Sequence, residues 1–303
     1  MAGFTEHLTI CASVPQFLKG VIMKTMFKKV TIVGMGMMGG SLGMALLKNR
    51  IAKEVCGAGR NIARLNEAKK LNAATMVTDN LEEAVKGADL IVISVVSDKI
   101  AQMYKKLLEA GLAKETIVTD MGSVKKEITD DICALKGYQD NFIGSHPMVG
   151  SEKTGVKNSI FNLFNAGNCI VTGNKECRGV KKVTALWKSV GMHTVFMTPQ
   201  QHDDAVAGIS HMPHLAAFAL LISQKGCIKN SSNIIGSGFK SMTRIGASDE
   251  EVWAGILYAN KAQVLKQAER FRKEIEHAEK MLKAGKLAGY IKAARLLRES
   301  LDK

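Results

Sequence analysis

Residues 29–39 read KVTIVGMGMMG, a short β-branched strand pattern that runs directly into a glycine-rich turn. Gly34, Gly36 and Gly39 have the G-x-G-x-x-G spacing, and a helical pattern opens at the third glycine. Between a strand and a helix, this spacing is typical of a dinucleotide-binding turn, whose glycines allow the bend, the approach of a pyrophosphate and close helix–strand packing. A glycine turn without a ligand is the alternative, and the context favours the dinucleotide. The predicted cofactor-binding residues are Gly34, Met35, Gly36, Met37, Met38 and Gly39, together with Ser94.

Strand and helix patterns alternate outward from this turn. Strands are predicted at Lys29–Val33, Glu54–Ala58, Leu90–Val96, Thr116–Asp120, Asn141–Ile143, Asn168–Val171 and Thr194–Met197. Helices are predicted at Gly39–Lys48, Ile62–Leu71 and near Val180–Ser189. The continuously apolar run Leu90–Val96 is typical of a strand buried on both faces of a parallel sheet. The pattern predicts an α/β fold, a Rossmann-type doubly wound and mostly parallel sheet, as a dinucleotide-binding domain over residues 27–198.

The chain changes character after Thr198-Pro199, where no further strand pattern occurs. Asp203–Ser223 is apolar almost all round and predicts a buried helix, with a kink or a late start at Pro213. A seven-residue repeat then predicts one long helix with a wide apolar face; its members include Leu257, Val264, Phe271 and Ala278. Such a face usually packs against another subunit or a bundle. We therefore expect residues 199–303 to form an all-helical substrate and dimerisation domain of a homodimer, and residues 1–26 to form an N-terminal extension.

The composition is that of a globular protein with an excess of basic residues. Hydrophobic residues make up 46% of the 303 residues and charged residues 23%, and 42 Lys and Arg against 28 Asp and Glu give a formal net charge of +14. An excess of basic residues can indicate that a protein binds nucleic acid, an anionic surface or acidic small molecules. Because the basic residues are mixed with acids and lack interleaved aromatics, nucleic-acid binding is not expected, and an anionic substrate with an anionic cofactor is favoured.

The six cysteines are scattered, with no C-x-x-C pair and no Cys/His cluster at metal-ligand spacing. This pattern predicts neither a zinc site nor a disulfide framework and suits a reducing cytoplasm. Residues 1–26 lack the continuous apolar core of a signal peptide, and no run approaches the roughly 20 apolar residues of a membrane span. We therefore expect a cytoplasmic protein with no bound metal and no membrane segment.

The end of the second predicted strand bears on the choice of cofactor. An acidic residue there would bind the ribose 2′-hydroxyl of NAD, but the sequence has Gly59 followed by Arg60. The missing carboxylate removes repulsion of a 2′-phosphate, and Arg60 can pair with that phosphate. The alternative is that Arg60 stacks on adenine or faces water. The pattern favours NADP and leaves NAD open.

A histidine with candidate chemistry lies in the stretch GSHPMVGSEKTG, residues 144–155. We expect His146 on a rigid turn where a strand of the parallel sheet ends, the edge at which open α/β sheets bind substrate. Ser123 follows the preceding strand and is expected at the same edge, where it can orient the imidazole or bind the same substrate hydroxyl. A purely structural histidine is the alternative. A Ser-His hydrolase is not expected, because the chain has no G-x-S-x-G elbow.

Four blocks of sequence carry a resemblance to a known family. They are GMGMMGGSLGMAL at 34–46, DMGSVK at 120–125, GSHPMVGSEKTG at 144–155, and the pair SHMPH at 210–214 with GFKSMTRIGASDEEVW at 238–253. On these blocks the chain, from about Lys28 to the end of the long helix, resembles the prephenate dehydrogenases of tyrosine biosynthesis. The resemblance implies NAD(P)-dependent oxidative decarboxylation of prephenate to 4-hydroxyphenylpyruvate. An arogenate or dual-specificity cyclohexadienyl dehydrogenase is the alternative within it.

The resemblance also implies roles for individual residues. His146 matches the catalytic histidine that accepts a hydrogen bond from the substrate's ring hydroxyl, and Ser123 matches the serine that supports this contact. The positions that match the substrate-binding residues are His214, Arg244, Trp253 and Glu152. Glu152 resembles one half of an ionic gate at the pocket entrance, but the partner acid is replaced here by Ser241, so a complete gate is not expected.

Prephenate suits these residues chemically. It carries two carboxylates, which Arg244 and a histidine can anchor. Its ring becomes aromatic on losing hydride and CO2, so the protein needs only to orient the substrate and to accept the hydroxyl proton, a role for a histidine. An acid facing the side chain would favour arogenate; His214 occupies that position and favours prephenate, while Asp203 and Asp204 nearby keep dual specificity open.

The remaining histidines receive no catalytic role from the sequence. His211 is expected to be structural, and four others are expected at the surface or are unassigned: His7, His193, His202 and His277. Two further interpretations compete. A β-hydroxyacid or imine reductase would usually need a catalytic lysine on the first helix of the second domain, where this chain has histidines. A non-enzymatic redox sensor that binds NADP and a partner protein would not need His146, Ser123, His214 and Arg244 together.

Overall fold

The computed structural model of the chain describes residues 25–150, 153–173, 177–230 and 232–301, so the predicted N-terminal extension lies outside it up to residue 24. Within these ranges the strands are β1 (Phe27–Val33), β2 (Ala52–Ala58), β3 (Met76–Thr78), β4 (Leu90–Ile93), β5 (Ile117–Asp120), β6 (Phe142–Ile143), β7 (Ser145–Pro147), β8 (Asn168–Thr172) and β9 (His193–Met197). The helices in the same ranges are α1 (Met37–Lys48), α2 (Ile62–Lys70), α3 (Leu81–Val85), α4 (Ile100–Glu109), α5 (Lys126–Cys133), α6 (Arg178–Ser189), α7 (Pro199–Val206), α8 (Met212–Ser223), α9 (Lys225–Asn230), α10 (Ser237–Thr243), α11 (Glu250–Ala259), α12 (Lys261–Lys283) and α13 (Leu287–Ser300).

Six strands of the described chain form one parallel sheet in the order β3-β2-β1-β4-β5-β6. β1 lies at its centre, with Val33 beside Ala58 of β2 on one side and beside Ile93 of β4 on the other. The winding direction reverses between β1 and β4, and open α/β sheets bind ligands at this switch point, beyond the carboxyl ends of the strands. The predicted Rossmann-type sheet is confirmed. Gly34 and Ser94 directly follow the two strands at the switch point.

The central strands are buried on both faces because apolar residues alternate between two cores. In β1, Val30 and Ile32 join the core that contains Leu42 of α1, whereas Val33 joins the core that contains Tyr104 of α4. The four residues of β4 divide between the same two cores and are all fully buried. Successive side chains of a strand point to opposite faces, so a continuously apolar strand needs helices on both sides.

The strand predicted over Leu90–Val96 ends at Ile93. Beyond it, the carbonyl oxygen of Ser94 lies against the glycine turn, and the chain then enters a short 3₁₀ turn at Ser97–Lys99. Val96 is half exposed. The apolar run therefore located the strand but not its end, because the end depends on contact with the neighbouring turn.

His146 lies on a strand of a second, smaller sheet rather than on a rigid turn. β7 pairs antiparallel with β8, which places His146 opposite Ile170, and β9 pairs parallel with β8. β6 ends the main sheet at Ile143, and Gly144 separates it from β7. The predictions of a turn at His146 and of one continuous sheet are therefore wrong. The order of strands along a sequence does not state which sheet each strand joins.

The helical half begins with a 25-residue helix, Pro199–Ser223, made of α7, a π-helical turn at Ala207–His211, and α8. Thr198 and Gln201 form a capping box at its start. The π-helical turn ends two residues before Pro213, where the regular hydrogen-bond ladder is interrupted in any case because proline has no N–H. The helix therefore passes through Pro213 and does not start late there.

Helix Pro199–Ser223 is not buried within the single chain, contrary to the prediction. Only 22% of its most apolar window is buried, and Ile209 and Ile222 are 72% and 75% exposed. It is long and apolar enough, by length and composition only, to cross a membrane, whereas the sequence predicted no such segment. An exposed apolar face of this size marks an interaction surface.

The long helix predicted from the seven-residue repeat is two helices, because the chain breaks between α11 and α12 at Asn260. The side chain of Asn260 is buried and donates to the backbone oxygen of Asp203 at 2.8 Å. This hydrogen bond joins the break to α7. A polar contact between distant segments thus overrides the apolar periodicity.

Candidate active site

The glycine turn between β1 and α1 is shaped by two close backbone contacts. Gly34 has a φ of +103°, and a Cβ atom there would lie 2.4 Å from the carbonyl oxygen of Ser94. A Cβ atom on Gly39 would lie 2.2 Å from the carbonyl oxygen of Gly34. Only glycine fits these two positions. At Gly36, by contrast, a Cβ atom would meet no other described atom within 4 Å, so the middle of the turn faces open space.

The N-terminus of α1 faces the same space. Gly36 is its N-cap and provides no side-chain cap, and the first turn carries no acidic residue. Backbone N–H groups at such a terminus bind anions. Met35 and Met37 are buried, with Met35 packed against Gly57 of β2, and Met38 is partly buried against the same core. The methionines therefore support the turn, and the open side at Gly36 fits a pyrophosphate.

Arg60 follows β2 at the same edge of the sheet and is exposed. Gly59 and Arg60 lead directly into Asn61, the N-cap of α2, so no carboxylate occupies the end of β2. A guanidinium at this place can pair with a phosphate on the adenosine ribose. Both the local sequence and the position of Arg60 at the sheet edge are therefore compatible with a phosphate on the adenosine ribose.

His146 is buried and directs Nδ1 toward a second histidine. Its Nδ1 lies 2.8 Å from Nε2 of His202, and Nδ1 of His202 lies 2.6 Å from Oδ1 of Asp203. All three side chains are buried. They form a line of hydrogen bonds, here called the His–His–Asp line, that runs from β7 in the nucleotide half to α7 in the helical half.

Backbone groups hold the acidic end of the His–His–Asp line. Oδ1 of Asp203 accepts from the N–H of Lys125 at 2.8 Å, and Oδ2 accepts from the N–H of Lys126 at 2.9 Å. The Lys125 ammonium forms a fully buried ion pair with Asp120, the last residue of β5. Asp120 also accepts from the backbone N–H of Ser145 at 2.9 Å. The end of β5, the start of α5 and β7 therefore hold the line in one geometry.

Burial sets the charge state of the His–His–Asp line. It lowers the pKa of His146 well below the usual 6.5, and the neighbouring histidines and Lys125 lower it further. Burial also lowers the pKa of His202, although the hydrogen bond to Asp203 acts in the opposite sense. Burial alone would raise the pKa of Asp203, but hydrogen bonds from His202 and from two backbone N–H groups lower it on balance. At neutral pH the carboxylate is therefore ionised and both imidazoles are neutral.

The second part of the site is built on α8, α11 and the turn after α10. The ring of His214 stacks on Trp253 with centroids 3.3 Å apart and planes 19° apart, and its Nδ1 lies 2.9 Å from the backbone oxygen of Ser210. Burial and the nearby guanidinium of Arg244 lower the pKa of His214, against the effect of the Ser210 contact. Arg244 itself is exposed. An exposed cation thus lies beside a partly buried, stacked imidazole.

His211 connects the two parts of the site. Its buried ring meets Trp253 edge-on at 6.2 Å, and its Nδ1 lies 3.2 Å from the Asn260 amide that donates to Asp203. The His–His–Asp line therefore continues through His211 to the stacked pair. One contiguous group contains four of the six residues that the sequence predicted for catalysis and substrate binding: His146, His214, Arg244 and Trp253.

The contacts described above join neither of the other two predicted residues to this group. Ser123 is in the loop after β5, where its backbone N–H donates to Oγ of Ser97 at 3.2 Å; in the described part of the chain, no hydrogen bond joins its side chain to His146. Glu152 lies outside the described residues. Ser241 is exposed on α10. Among the residues described, no group of three or more His, Cys, Asp or Glu side chains could hold a metal ion.

Sequence reasoning missed the structural importance of His202 and Asp203. The expectation that His202 is a surface or unassigned histidine is wrong, because its side chain is completely buried. The sequence predicted for Asp203 only a role in the choice between prephenate and arogenate. In the structure its carboxylate is hydrogen-bonded to His202 and to the backbone at the start of α5. In the structure the buried positions of this helix recur at 202, 203, 206, 207 and 211, a helical stripe; the signal in the sequence is that His202, Asp203 and His211 share this spacing with apolar residues.

Family models of two domains match almost all of the described chain. The nucleotide-binding domain of prephenate dehydrogenase matches residues 42–196, and the dimerization domain of prephenate dehydrogenase matches residues 198–296. The boundary between the two matches coincides with the step from β9 to α7.

Individual relatives agree with these domain matches. The prephenate dehydrogenase of Bacillus subtilis (strain 168) is 30% identical, over 92% of this chain and 77% of that protein. The cyclohexadienyl dehydrogenase of Zymomonas mobilis is 28% identical, over 82% of this chain and 86% of that protein. The crystal structure of prephenate dehydrogenase from A. aeolicus, in complex with hydroxyphenyl propionate and NAD+, has a TM-score of 0.83 and 30% identity and covers 90% of this chain and 98% of that one.

Proposed function

The chain belongs to the prephenate dehydrogenase family, and from that membership we propose that it converts prephenate to 4-hydroxyphenylpyruvate and CO2 by NAD(P)-dependent oxidation, in tyrosine biosynthesis. One observation carries the proposal: a buried, neutral His146 belongs to a contiguous group that ends at Arg244 and the stacked His214 and Trp253. This group combines a proton acceptor with a cation for a carboxylate. The reductase and redox-sensor interpretations have no comparable observation in their favour.

We assign cofactor binding to the glycine turn. The open space at Gly36 and the N-terminus of α1 fit a pyrophosphate, which backbone N–H groups would bind. Bound there, NAD(P) supplies the acceptor for the hydride that the substrate ring loses. Gly34 and Gly39 allow the close packing that forms the turn, and Ser94 bounds it from the end of β4.

We propose that the enzyme prefers NADP, because Gly59 stands where an NAD-specific carboxylate would stand and the cationic Arg60 follows it. Replacing Arg60 with serine should raise the KM for NADP by about 10- to 100-fold, the effect of losing a charge-assisted hydrogen bond to the 2′-phosphate. The KM for NAD should change by less than about threefold, because NAD has no such phosphate. Steady-state rates with each cofactor at saturating prephenate measure both values.

The same substitution at Arg178, an exposed arginine at the start of α6, is the matched control and should leave both KM values unchanged. An unmodified enzyme that uses NAD more efficiently than NADP contradicts the preference. An equal rise of the KM for NADP and for NAD in Arg60→Ser would instead indicate that Arg60 contacts the adenine, which both cofactors contain.

His146 is proposed as the general base. Its Nδ1 is engaged by His202, so Nε2 is the ring nitrogen left for the substrate's ring hydroxyl. A neutral imidazole can take up the hydroxyl proton as the ring loses hydride and CO2, and burial keeps this imidazole neutral. Ser123, at the end of β5, is proposed to support the same hydroxyl.

Arg244 is proposed to bind a substrate carboxylate, with His214 and Trp253 lining the pocket beside it. Replacing Arg244 with methionine keeps much of the side-chain length but removes the charge. The KM for prephenate should rise by about 10- to 100-fold, with kcat reduced by less than about fivefold, since an anchoring contact contributes to ground state and transition state alike. Steady-state kinetics at saturating cofactor measure the two effects separately.

Arg270→Met on α12 is the matched control, since Arg270 is exposed and remote in sequence from the site. A fall in kcat with an unchanged KM would place Arg244 in the transition state only and contradict the anchoring role.

Prephenate is proposed over arogenate because the nearby acids are not free to bind an ammonium. Asp203 is buried and fully engaged by the His–His–Asp line and the backbone of α5. Asp204 is exposed on α7 and accepts from the side chain of Gln200 at 3.0 Å. This arrangement supports a pocket that receives a keto acid next to His214.

We propose a homodimer that acts in the cytoplasm, with the chain divided near residue 198. The match to a dimerization domain supports the dimer. The exposed apolar face described above supports it as well, and further large exposed apolar residues of the helical half are Leu265, Leu282 and Leu297. A second subunit is the proposed cover for this face.

A further inference from the structure

The buried partner of His146 is His202, which is in turn hydrogen-bonded to Asp203. We infer that His202 and Asp203 are positioning residues that hold the proton of neutral His146 on Nδ1 and so leave Nε2 as the acceptor for the substrate hydroxyl. The inference rests on the proposed function for its consequence in catalysis. Its structural content, the position of one proton, can be tested without any substrate.

The assignment starts from Asp203, which can only accept hydrogen bonds when it is ionised. Both of its oxygens already accept from backbone N–H groups, at 2.8 Å from Lys125 and 2.9 Å from Lys126. The third contact, 2.6 Å between Oδ1 and Nδ1 of His202, must therefore carry its hydrogen on the histidine. His202 thus bears its proton on Nδ1.

The direction of the hydrogen bond between His146 and His202 follows from the direction of the bond between His202 and Asp203. A neutral imidazole with its proton on Nδ1 has a lone pair on Nε2 and can only accept there. Nε2 of His202 lies 2.8 Å from Nδ1 of His146, and two lone pairs at that distance would repel. His146 must therefore donate from Nδ1, which leaves its Nε2 without a hydrogen. Free histidine favours the opposite tautomer, so the protein has to impose this one.

The alternative is a protonated His202 that donates to both neighbours. The groups that face the two imidazoles in the described part of the chain are Asp203 and His211 on the helix, Asp120 at the end of β5, Lys125 at the start of α5, and Cys169 on β8. Asp120 is already paired with Lys125, so among the described residues only Asp203 offers His202 a direct contact of opposite charge. Complete burial of His202 then favours its neutral form.

The proton balance of the reaction agrees with this arrangement. The substrate hydroxyl gives its proton to Nε2 of His146 as the ring loses hydride to the cofactor and releases CO2; the phenolate oxygen that these losses leave then takes the proton back from Nε2, which gives 4-hydroxyphenylpyruvate and restores the neutral imidazole. The imidazolium formed between these two transfers donates from Nδ1 to His202, and the ionised Asp203 lies next along the line. The carboxylate need not take up a proton itself; it orients the rings and stabilises the positive charge.

The direct test is the tautomer of His146, measured by nitrogen NMR of the full-length protein labelled with ¹⁵N-histidine, with the His146 signals assigned by their loss in His146→Asn. We expect a protonated Nδ1 and an unprotonated Nε2 in the unmodified protein. A protonated Nε2 there overturns the inference, whether or not the His202 variants fold.

The kinetic test uses His202→Phe, which removes the acceptor, and His202→Gln, whose amide oxygen can replace it. We expect kcat to fall by about 10²- to 10⁴-fold in His202→Phe, as when a tautomer-holding group is lost from a triad, with the prephenate KM changed by less than about threefold. His202→Gln should recover at least about tenfold of that kcat. His193→Phe and Asp204→Asn, both at exposed positions, should leave kcat unchanged.

The two hypotheses fail in distinguishable ways. If prephenate is not turned over but the proton is found on Nδ1, the proposed function fails and the positioning role stands. If prephenate is turned over and a folded His202→Phe keeps kcat within about threefold, the positioning role fails and the function stands.

Discussion

Replacing His146 with asparagine should lower kcat for prephenate oxidation by about 10³-fold or more, near the upper part of the range for loss of a general base. The asparagine amide can still contact His202, but it cannot accept a proton at neutral pH. Because this contact is retained, the melting temperature and the affinity for the cofactor should change little. Steady-state kinetics with prephenate, together with thermal unfolding and cofactor titration, measure all three quantities.

His193→Asn is the matched control, because His193 is an exposed histidine on β9, in the same small sheet as His146. It should retain full activity. A His146→Asn enzyme that is folded, binds cofactor and keeps kcat within about threefold would remove His146 from the chemistry.

The pH dependence of prephenate oxidation follows from the burial of His146. Because the pKa of His146 is held well below 6.5, its imidazole stays neutral at pH 6.5, and protonation, which abolishes its ability to accept, begins only at lower pH. We expect kcat/KM for prephenate to remain level down to about pH 6.5 and to fall on the acid side of the normal histidine range. An acid limb centred at pH 6.5 or above would contradict the shifted pKa.

Replacing Gly36 with aspartate should raise the KM for NAD(P) by about 100-fold or more while the protein remains as stable as before. A carboxylate about 4 Å from a phosphate costs about 4 kcal/mol at an effective dielectric constant of 20. The added side chain meets no described atom within 4 Å, and the backbone at Gly36 is extended, with a φ of −81°. Aspartate is also a favourable N-cap, so the melting temperature should be unchanged or raised by roughly 2 °C.

The matched control is Gly289→Asp, which places the same acid in the first turn of α13, where the added side chain also meets open space. It should leave the cofactor KM unchanged. If Gly36→Asp binds cofactor normally, the pyrophosphate does not lie at this turn. If the Gly36→Asp protein unfolds, the added side chain does not enter open space, and the expected stability is contradicted.

Much of the nucleotide half could be predicted from the sequence because its determinants are local. The turn at Gly34 needs a residue that tolerates a φ of +103°, and β1 needs apolar residues on both faces. Both requirements are visible within a dozen residues. The end of β4 and the separate sheet at His146 were not predictable in this way, because they depend on which distant strand or turn lies alongside.

The sequence by itself determined the fold class and the glycine turn, and through its resemblance to a family it predicted site residues that include His146, His214, Arg244 and Trp253. Only the tertiary structure decided that His146 contacts a histidine 56 positions away and that Asp203 is held by backbone groups 78 and 77 positions away. Hydrogen bonds between distant segments leave no periodic pattern in a sequence. The charge states of these groups depend on burial, which exists only once the two halves of the chain have packed together.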